Sequence, residues 1–238
     1  WSLFFAFINH SNTLINKTVL PENADKAKKF EEVLGEAYFL RGLSYFYLVR
    51  MYGDVPLILA ETDASTYMPR TAVAAIYDQA IIPSLKKAVE ILPAKSRSGF
   101  SSTPSKWAAE ACLADAYMTM AGWPLQRGQE YYSLAAAAAK DIIDNSGLYL
   151  TEEYAELWKE ANKAQPNEVM FAIHHNAKMK TASNYGKSYY PSDFAPNAGW
   201  SDYYANESFF LNYPDDARKE WNYMTEWETK NGHVTYKE

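Results

Sequence analysis

The stretch that decides the fold is Glu36–Leu59, which reads EAYFLRGLSYFYLVRMYGDVPLIL. Its apolar side chains recur at helical spacing on two stripes. One stripe contains Ala37, Leu40, Leu43, Tyr47 and Met51, and the other contains Phe39, Phe46 and Val49. A helix that is apolar on two faces has to be packed on two sides. Gly53 is typical of a helix end, so the sequence predicts a central helix over Ala24–Met51.

Further helices are predicted where apolar periodicity is bounded by proline, glycine or a capping residue. They cover 1–20, Ala72–Leu92, Lys106–Ala121, Tyr131–Asn145 and Thr151–Ala161. Either Asn23 or Asp25 can cap the central helix, and Ser105 can cap the predicted helix Lys106–Ala121. Pro83 lies inside a predicted helix, where it is expected to produce a kink or a break.

Pairs of these helices share the offsets of a tetratricopeptide repeat, in which a small residue lets two antiparallel helices approach closely. The first pair carries Tyr38, Gly42 and Tyr45, then Ile81, Leu85, Ala88 and Pro93. The second carries Leu113, Ala114 and Tyr117, then Ala136, Lys140 and Ile143. The pattern predicts a mainly α fold, with a tetratricopeptide-like helical-repeat scaffold over residues 1–165.

The composition changes after Pro166. Val169–Ile173 is a short apolar run that predicts a buried strand. From Lys178 the chain is rich in Asn, Ser, Gly, Pro and Tyr, and helical periodicity returns only over Arg218–Glu228. The sequence therefore predicts a second domain over 166–238, with minor β structure and a loop-rich, aromatic binding lobe.

The opening stretch closely resembles the signature helix of the SusD/RagB family. Other blocks resemble the same family in the same order along the chain. They are Pro69-Arg70 before a helix that ends in Leu-Pro, TPSKWAAEACLADAYMTM at Thr103–Met120, the apolar segment Asn167–Ile173, and Tyr213–Arg218. The resemblance covers residues 36–218.

Membership would imply a surface-exposed outer-membrane lipoprotein that acts in starch or polysaccharide utilisation. Such proteins bind glycans, or less often peptides, and cover a SusC-like TonB-dependent transporter during nutrient uptake. The lipid-bearing cysteine and the C-terminal portion of such proteins are not in this sequence. The membrane is therefore expected to be reached only through an anchor outside it.

Aromatic residues make up 16% of the chain, and many lie in the loop-rich region. Rings that stack on the C–H faces of a sugar, beside polar groups for its hydroxyls, are what a glycan site needs. Candidate rings are Tyr185, Tyr189, Tyr190, Phe194, Trp200, Tyr203 and Tyr204, interleaved with Asn184, Asp193, Asn197 and Asp202. The favoured ligand-binding set is Trp200, Tyr203, Tyr189, Tyr190, Asn197 and Trp123. Trp200 ranks first because Gly199 is expected to let a ligand approach closely.

Alternatives stay open for these rings and for the function. The rings could instead anchor the loop onto the scaffold, and Trp107, Trp158 and Tyr117 are expected in the core. The protein could be a tetratricopeptide-type scaffold that binds proteins or peptides and no carbohydrate. A third possibility is an all-helical glycosidase.

Catalysis finds little support in the sequence. His174 and His175 are adjacent on a predicted strand and would point to opposite faces, so no metal site is expected. Asp215-Asp216 with Arg218 is read as a structural pair, because glycosidase carboxylates must face each other across a substrate. No catalytic residue or cofactor is predicted.

The net charge and the cysteine content limit the classes of partner and of chemistry to be expected. The net charge of −6 gives no reason to expect nucleic-acid binding. The only cysteine, Cys112, lies in an apolar helical pattern and is expected to behave as a small buried hydrophobe. Glu152-Glu153 is read as a helix-capping signature.

Overall fold

The computed structural model describes residues 1–62, 67–159, 161–162, 167–176, 178–195 and 197–235. These residues form two compact units. The first lies within Trp1–Leu150 and Ala164–Ala172, and the second lies within Thr151–Lys163 and Ile173–Glu238. The single boundary expected at residue 165 stays a prediction.

The first unit is helical. Its helices are α1 (Ser2–Lys17), α2 (Ala24–Tyr52), α3 (Val73–Ile76), α4 (Ile82–Ile91), α5 (Lys106–Ala121) and α6 (Gln129–Asn145). The short strands β1 (Val55–Pro56) and β2 (Arg70–Thr71) pair antiparallel. This confirms a mainly α fold with minor β structure. None of the described helices combines the length and hydropathy needed to cross a bilayer.

The ends of α2 follow local capping rules. The side chain of Asn23 accepts a hydrogen bond from the backbone N–H of Lys26 at 3.0 Å. At the other end Gly53 has a φ of 67°, a left-handed conformation that glycine adopts without a steric penalty. The predicted central helix is therefore confirmed to within a residue at its C-terminus.

Helix α2 packs against both α1 and α4, although Tyr47 and Met51 of the first predicted stripe are exposed. Gly42 marks a close approach of α2 to α4. A Cβ placed there would lie 2.9 Å from Cγ of the buried Leu85. The small residue expected in the first helix pair is thus required by the packing.

Replacing Gly42 with valine is expected to destabilise the protein by about 1–3 kcal/mol, because the added methyl groups overpack against Leu85. Urea unfolding followed by helical circular dichroism measures the change. The matched control is Ala136→Val on the exposed face of α6, where only helix propensity is lost. Equal midpoints for the two variants would contradict the tight contact at Gly42.

Pro83 interrupts the helix that was predicted over Ala72–Leu92. A π-helical turn, Tyr77–Ile81, separates α3 from α4, and the N–H of Ile82 donates to the carbonyl of Tyr77. Proline lacks an N–H donor and its ring crowds the carbonyl four residues earlier. The helical backbone nevertheless continues from Val73 to Ile91, so the predicted kink or break takes the form of a π-helical turn and the helix does not end there.

A buried polar network joins three helices to the segment after α2. Arg41 on α2 donates from Nη1 to Oδ1 of Asn12 at 3.0 Å and from Nε to Oγ of Ser84 at 3.0 Å. Asn12 on α1 in turn donates to the carbonyl of Ile58 at 3.0 Å. Burial lowers the pKa of Arg41 from its usual value. Arg41 thus reaches the loop carbonyls through Asn12.

The residues predicted to form the packed face of α6 are not the ones that are buried. Ala136, Lys140 and Ile143 are exposed, and Ile143 is 78% accessible. Ala138 and Ile142 are buried instead, on a helix that packs against α5. The alanine-rich sequence gives little contrast between faces, so periodicity could not select the buried one.

The second unit contains short elements. They are 3₁₀ turns at Tyr154–Trp158 and Tyr185–Ser188, helices α7 (Glu207–Leu211) and α8 (Ala217–Asn222), and strands β3 (Glu226–Thr229) and β4 (Gly232–Thr235). The two strands form an antiparallel hairpin in which Trp227 pairs with Val234. The helix predicted over Arg218–Glu228 is therefore wrong beyond Asn222.

Three further expectations in this part of the chain are corrected. Of the helix expected at Thr151–Ala161, in which residue 160 lies outside the described residues, the structure shows only the 3₁₀ turn Tyr154–Trp158. Trp158 in this turn is 53% exposed rather than core. Val169–Ile173 is not a strand. It lies largely in the first unit, where the ring of Phe171 packs edge-on against Phe39 at 5.0 Å. Trp107 and Tyr117 are buried as expected.

Candidate functional site

The candidate site lies in the second unit, on residues 184–204, which we call the aromatic loop. Its two limbs run side by side and are joined by backbone hydrogen bonds. These link the N–H of Gly199 to the carbonyl of Pro191 at 2.9 Å, Trp200 to Lys187 at 2.7 Å, Ser201 to Tyr190 at 3.1 Å and Tyr203 to Ser188 at 3.1 Å. These hydrogen bonds hold the two limbs of the loop together.

Gly199 is where the two limbs come closest. A Cβ at this buried position would lie 1.9 Å from the carbonyl oxygen of Tyr190 and 2.4 Å from its carbonyl carbon. The expectation that Gly199 leaves room for a ligand is therefore wrong. The space beside its Cα is filled by the backbone of Tyr190, so this glycine serves the folding of the loop.

Three tyrosines, Tyr185, Tyr189 and Tyr203, form what we call the tyrosine stack. The rings of Tyr189 and Tyr203 are stacked with centroids 5.2 Å apart and planes 27° apart. Tyr185 packs edge-on against Tyr189, and their hydroxyls are hydrogen-bonded at 2.8 Å. This bond raises the pKa of Tyr189 above its usual value. Tyr203 is 58% exposed.

The other favoured rings of the loop have different neighbours. Tyr190 stacks on Phe194 with centroids 4.8 Å apart and planes 17° apart. Trp200 is 52% exposed, and the Nζ of Lys187 lies 5.9 Å from its ring centroid. This distance is at the outer limit of a cation–π contact. The loop thus presents both neutral rings and one ring beside a positive charge.

The hairpin of the second unit supports the loop from one side. Oδ1 of Asp193 accepts a hydrogen bond from Nε1 of Trp227 at 3.0 Å. The N–H of Ala195 donates to the carbonyl of Glu228 at 2.8 Å, and Phe194 forms a β-bridge with Thr229. Asp193 is therefore committed to holding the loop.

Of the favoured ligand-binding set, five residues lie in the second unit and Trp123 lies in the first. Tyr189 and Tyr203 are in direct ring contact. Asn197 is exposed on the same loop, and Trp123 is 81% exposed after the end of α5. Binding by these residues stays a prediction.

Tyr185 and Lys187 were not in the favoured set. Tyr185 lies four residues before Tyr189, about one helical turn, and this spacing could have indicated contact between their rings. Lys187 had no such signal. Only the backbone hydrogen bond between Trp200 and Lys187 brings its ammonium to the indole ring.

The structure also shows the surroundings of the side chains that were considered for catalysis or metal binding. Asp216 caps α8 by accepting the backbone N–H of Arg218 at 2.8 Å, so the pairing does not use the guanidinium. Both histidines, His174 and His175, are exposed. Burial raises the pKa of the Cys112 thiol to about 12, which leaves it protonated and unreactive at neutral pH. In the described segments, no three His, Cys, Asp or Glu side chains form a metal-binding group.

Comparison with known sequences gives a consistent family. The SusD-like_3 family, described as starch-binding and associating with the outer membrane, matches residues 1–118. SusD-like protein P2 of Formosa agariphila is 32% identical over 198 residues, which are 81% of this chain and 36% of that protein. A SusD-like protein of Bacteroides ovatus is 31% identical over 170 residues, 68% of this chain and 30% of that protein. The chain spans about a third of the length of these relatives.

Solved structures show the same fold. A SusD superfamily protein from Parabacteroides distasonis superposes with a TM-score of 0.82 at 24% identity, covering 99% of this chain and 54% of that one. A structure determined with xylogluco-oligosaccharide superposes with a TM-score of 0.73 at 25% identity, covering all 100% of this chain and 50% of that one. The second similarity includes the part of the chain that carries the aromatic loop.

Proposed function

Since the chain belongs to the SusD/RagB family, we propose that it binds an oligosaccharide or polysaccharide through the aromatic loop. The observation that carries the proposal is a set of exposed rings, the tyrosine stack and Trp200, held in place by the loop's own backbone hydrogen bonds. The relative determined with xylogluco-oligosaccharide supports a sugar ligand.

The chemistry of the loop suits a pyranose ring. A sugar offers an apolar C–H face and a rim of hydroxyls, and tyrosine and tryptophan offer a flat apolar face with a polar edge. The exposed faces of Tyr203 and Trp200 can stack on the sugar, while Asn197 can accept and donate hydrogen bonds. The cross-limb hydrogen bonds order the rings before the ligand arrives, which lowers the entropic penalty of binding.

In the complete protein this site would act in uptake at the outer membrane, with which the family is associated. We place the protein at the cell surface on a lipid anchor, delivering glycan to a SusC-like TonB-dependent transporter. A shallow stacking site gains strength along a polymer, because many repeats raise the effective concentration. Binding without cleavage is the proposed activity, in keeping with the description of the matching family as starch-binding.

The competing hypothesis is a scaffold that binds only proteins or peptides, with the rings serving to anchor the loop. It expects most of these side chains to be covered. Trp200 is 52% exposed, Tyr203 is 58% exposed and Tyr204 is 82% exposed. This exposure favours a binding surface over an anchor.

Replacing Trp200 or Tyr203 with alanine is expected to weaken oligosaccharide binding by about tenfold, which corresponds to ~1.4 kcal/mol for a truncated aromatic contact. Isothermal titration with xylogluco-oligosaccharides and malto-oligosaccharides measures the change.

The matched control is Trp221→Ala on α8, because Trp221 has the same 52% exposure but lies outside the loop. Its affinity should stay within about twofold of the parent. Unchanged binding in both loop variants would remove the aromatic loop from the site. Peptide binding with no binding to any glycan would overturn the substrate class.

A further inference from the structure

Lys187 occupies a defined place beside the proposed sugar-stacking ring. It lies in the 3₁₀ turn Tyr185–Ser188, and its carbonyl accepts the N–H of Trp200 at 2.7 Å. This hydrogen bond keeps the two residues side by side across the limbs of the loop. The Nζ of Lys187 lies 5.9 Å from the indole centroid, so the ammonium is aimed over the ring.

Within the described part of the chain, Lys187 forms no ion pair with a carboxylate. Other exposed lysines do form such pairs. Lys17 contacts Glu61 at 2.6 Å, Lys87 contacts Glu90 at 2.6 Å and Lys140 contacts Asp144 at 2.6 Å. The exposed ammonium of Lys187 is therefore accessible to a ligand.

The surrounding sequence has the same sign of charge. Between Glu168 and Asp193 no Asp or Glu occurs, although the whole chain has 29 acidic residues against 23 basic ones. Lys178 and Lys180 lie exposed on the turn that precedes the aromatic loop. Residues 169–192 thus carry three lysines and no carboxylate, although Asp193 and Asp202 follow them in the aromatic loop. A lysine-bearing segment on a chain of net charge −6 attracts anions more than the acidic parts of the surface do.

We infer that the loop prefers an anionic glycan, whose carboxylate or sulfate is bound by Lys187 while the sugar ring stacks on Trp200. This inference rests on the proposed function and names its substrate class. A neutral sugar on that face of Trp200 would have to displace the ammonium without replacing its contact. A uronate or sulfate ester would instead form a charge-assisted hydrogen bond with it.

Asp193 and Asp202 are the acidic residues of the aromatic loop that oppose this preference, and Asp202 is the nearer of the two to Trp200 in sequence. It follows Trp200 by two positions, and its backbone N–H donates to the carbonyl of Ser188 at 2.9 Å. Its exposed carboxylate carries a negative charge on the same loop. Removing that charge should therefore strengthen the binding of an anionic sugar, whereas removing the charge of Lys187 should weaken it.

The test compares ligands that differ only in charge. Oligogalacturonate and its methyl ester are titrated into the full chain at low and at moderate salt, with a sulfated galactan oligosaccharide as a second anion. The acid form is expected to bind about fivefold more tightly than the ester at low salt, and the ratio should shrink as salt screens the pair. The two anions distinguish a carboxylate from a sulfate preference.

Variants assign the effect to one residue. Lys187→Gln is expected to abolish the preference, so that the acid form and the ester bind with about equal affinity, and Asp202→Asn is expected to increase the preference. The control is Lys219→Gln, because the Nζ of Lys219 also lies over an aromatic ring, 4.9 Å from the centroid of Phe210, but outside the loop. Loss of preference in Lys187→Gln alone supports the inference.

The outcomes separate this inference from the proposed function. Equal binding of the acid and the ester would overturn the anionic preference and leave glycan binding in place. An equal loss in Lys187→Gln and Lys219→Gln would show general charge attraction and would also overturn it. Failure of every charged and neutral glycan to bind would overturn both.

Discussion

Replacing Gly199 with alanine is expected to remove glycan binding, with a loss of at least about 30-fold in affinity, or ~2 kcal/mol. The added methyl group would lie 1.9 Å from the carbonyl oxygen of Tyr190, inside the contact distance of any two heavy atoms. Backbone cannot yield as a side chain can, so the limbs have to move apart. That movement breaks the hydrogen bonds from Gly199 to Pro191 and from Ser201 to Tyr190.

The control for this variant is Gly186→Ala in the same loop. A Cβ at Gly186 would meet no atom within 4 Å, so this variant should bind glycan as the parent does. Isothermal titration gives the affinities, and the near-ultraviolet circular dichroism of the tyrosines reports the loop itself. Normal binding by Gly199→Ala would mean that the close approach to Tyr190 is not needed for the site.

Replacing Arg41 with methionine is expected to lower the free energy of unfolding by about 2–3 kcal/mol. The substitution keeps a long apolar stem but removes the hydrogen bonds to Asn12 and Ser84. Both partners are fully buried and would be left with unpaired polar groups. Burying a charged guanidinium is itself unfavourable, and burial lowers the pKa of Arg41. Removing this charge therefore offsets part of the lost stability.

Arg50→Met on the same helix is the matched control. The guanidinium of Arg50 is half exposed and lies 3.6 Å from the carboxylate of Asp115, a surface pair that contributes less than about 1 kcal/mol. Urea unfolding of both variants, followed by the helical signal, measures the difference. If the two midpoints shift equally, the buried network at Arg41 contributes no more than a surface ion pair.

Much of the first unit could be predicted from the sequence. The helix Ala24–Tyr52 lies where periodicity placed it, and Gly53 ends it as a left-handed residue. Pro83 interrupts its helix as expected, and Gly42 lies where a small residue was needed. These features depend on residues within a turn or two of chain, so local rules are sufficient to find them.

Elements whose form depends on distant partners were predicted less well. The apolar run Val169–Ile173 is only half-buried and forms no strand; Phe171 packs on Phe39, and Ile173 is exposed. The chain after Asn222 forms a hairpin because Glu226–Thr229 meets Gly232–Thr235, although its composition also suited a helix. Short apolar runs fit either structure, and only the partner decides between them.

The candidate site shows the same division. Composition alone identified the aromatic loop as the region that carries Tyr189, Trp200 and Tyr203, because rings among polar loop residues stand out in a sequence. The sequence did not show which rings touch or that Lys187 lies beside Trp200. These contacts depend on the hydrogen bonds between the two limbs of the loop. The role of Gly199 was also decided there, because a glycine's neighbour in space is not its neighbour in sequence. Local sequence therefore determined the helices and the aromatic character of the candidate binding surface. Contacts between residues that are distant in the sequence determined the geometry of that surface.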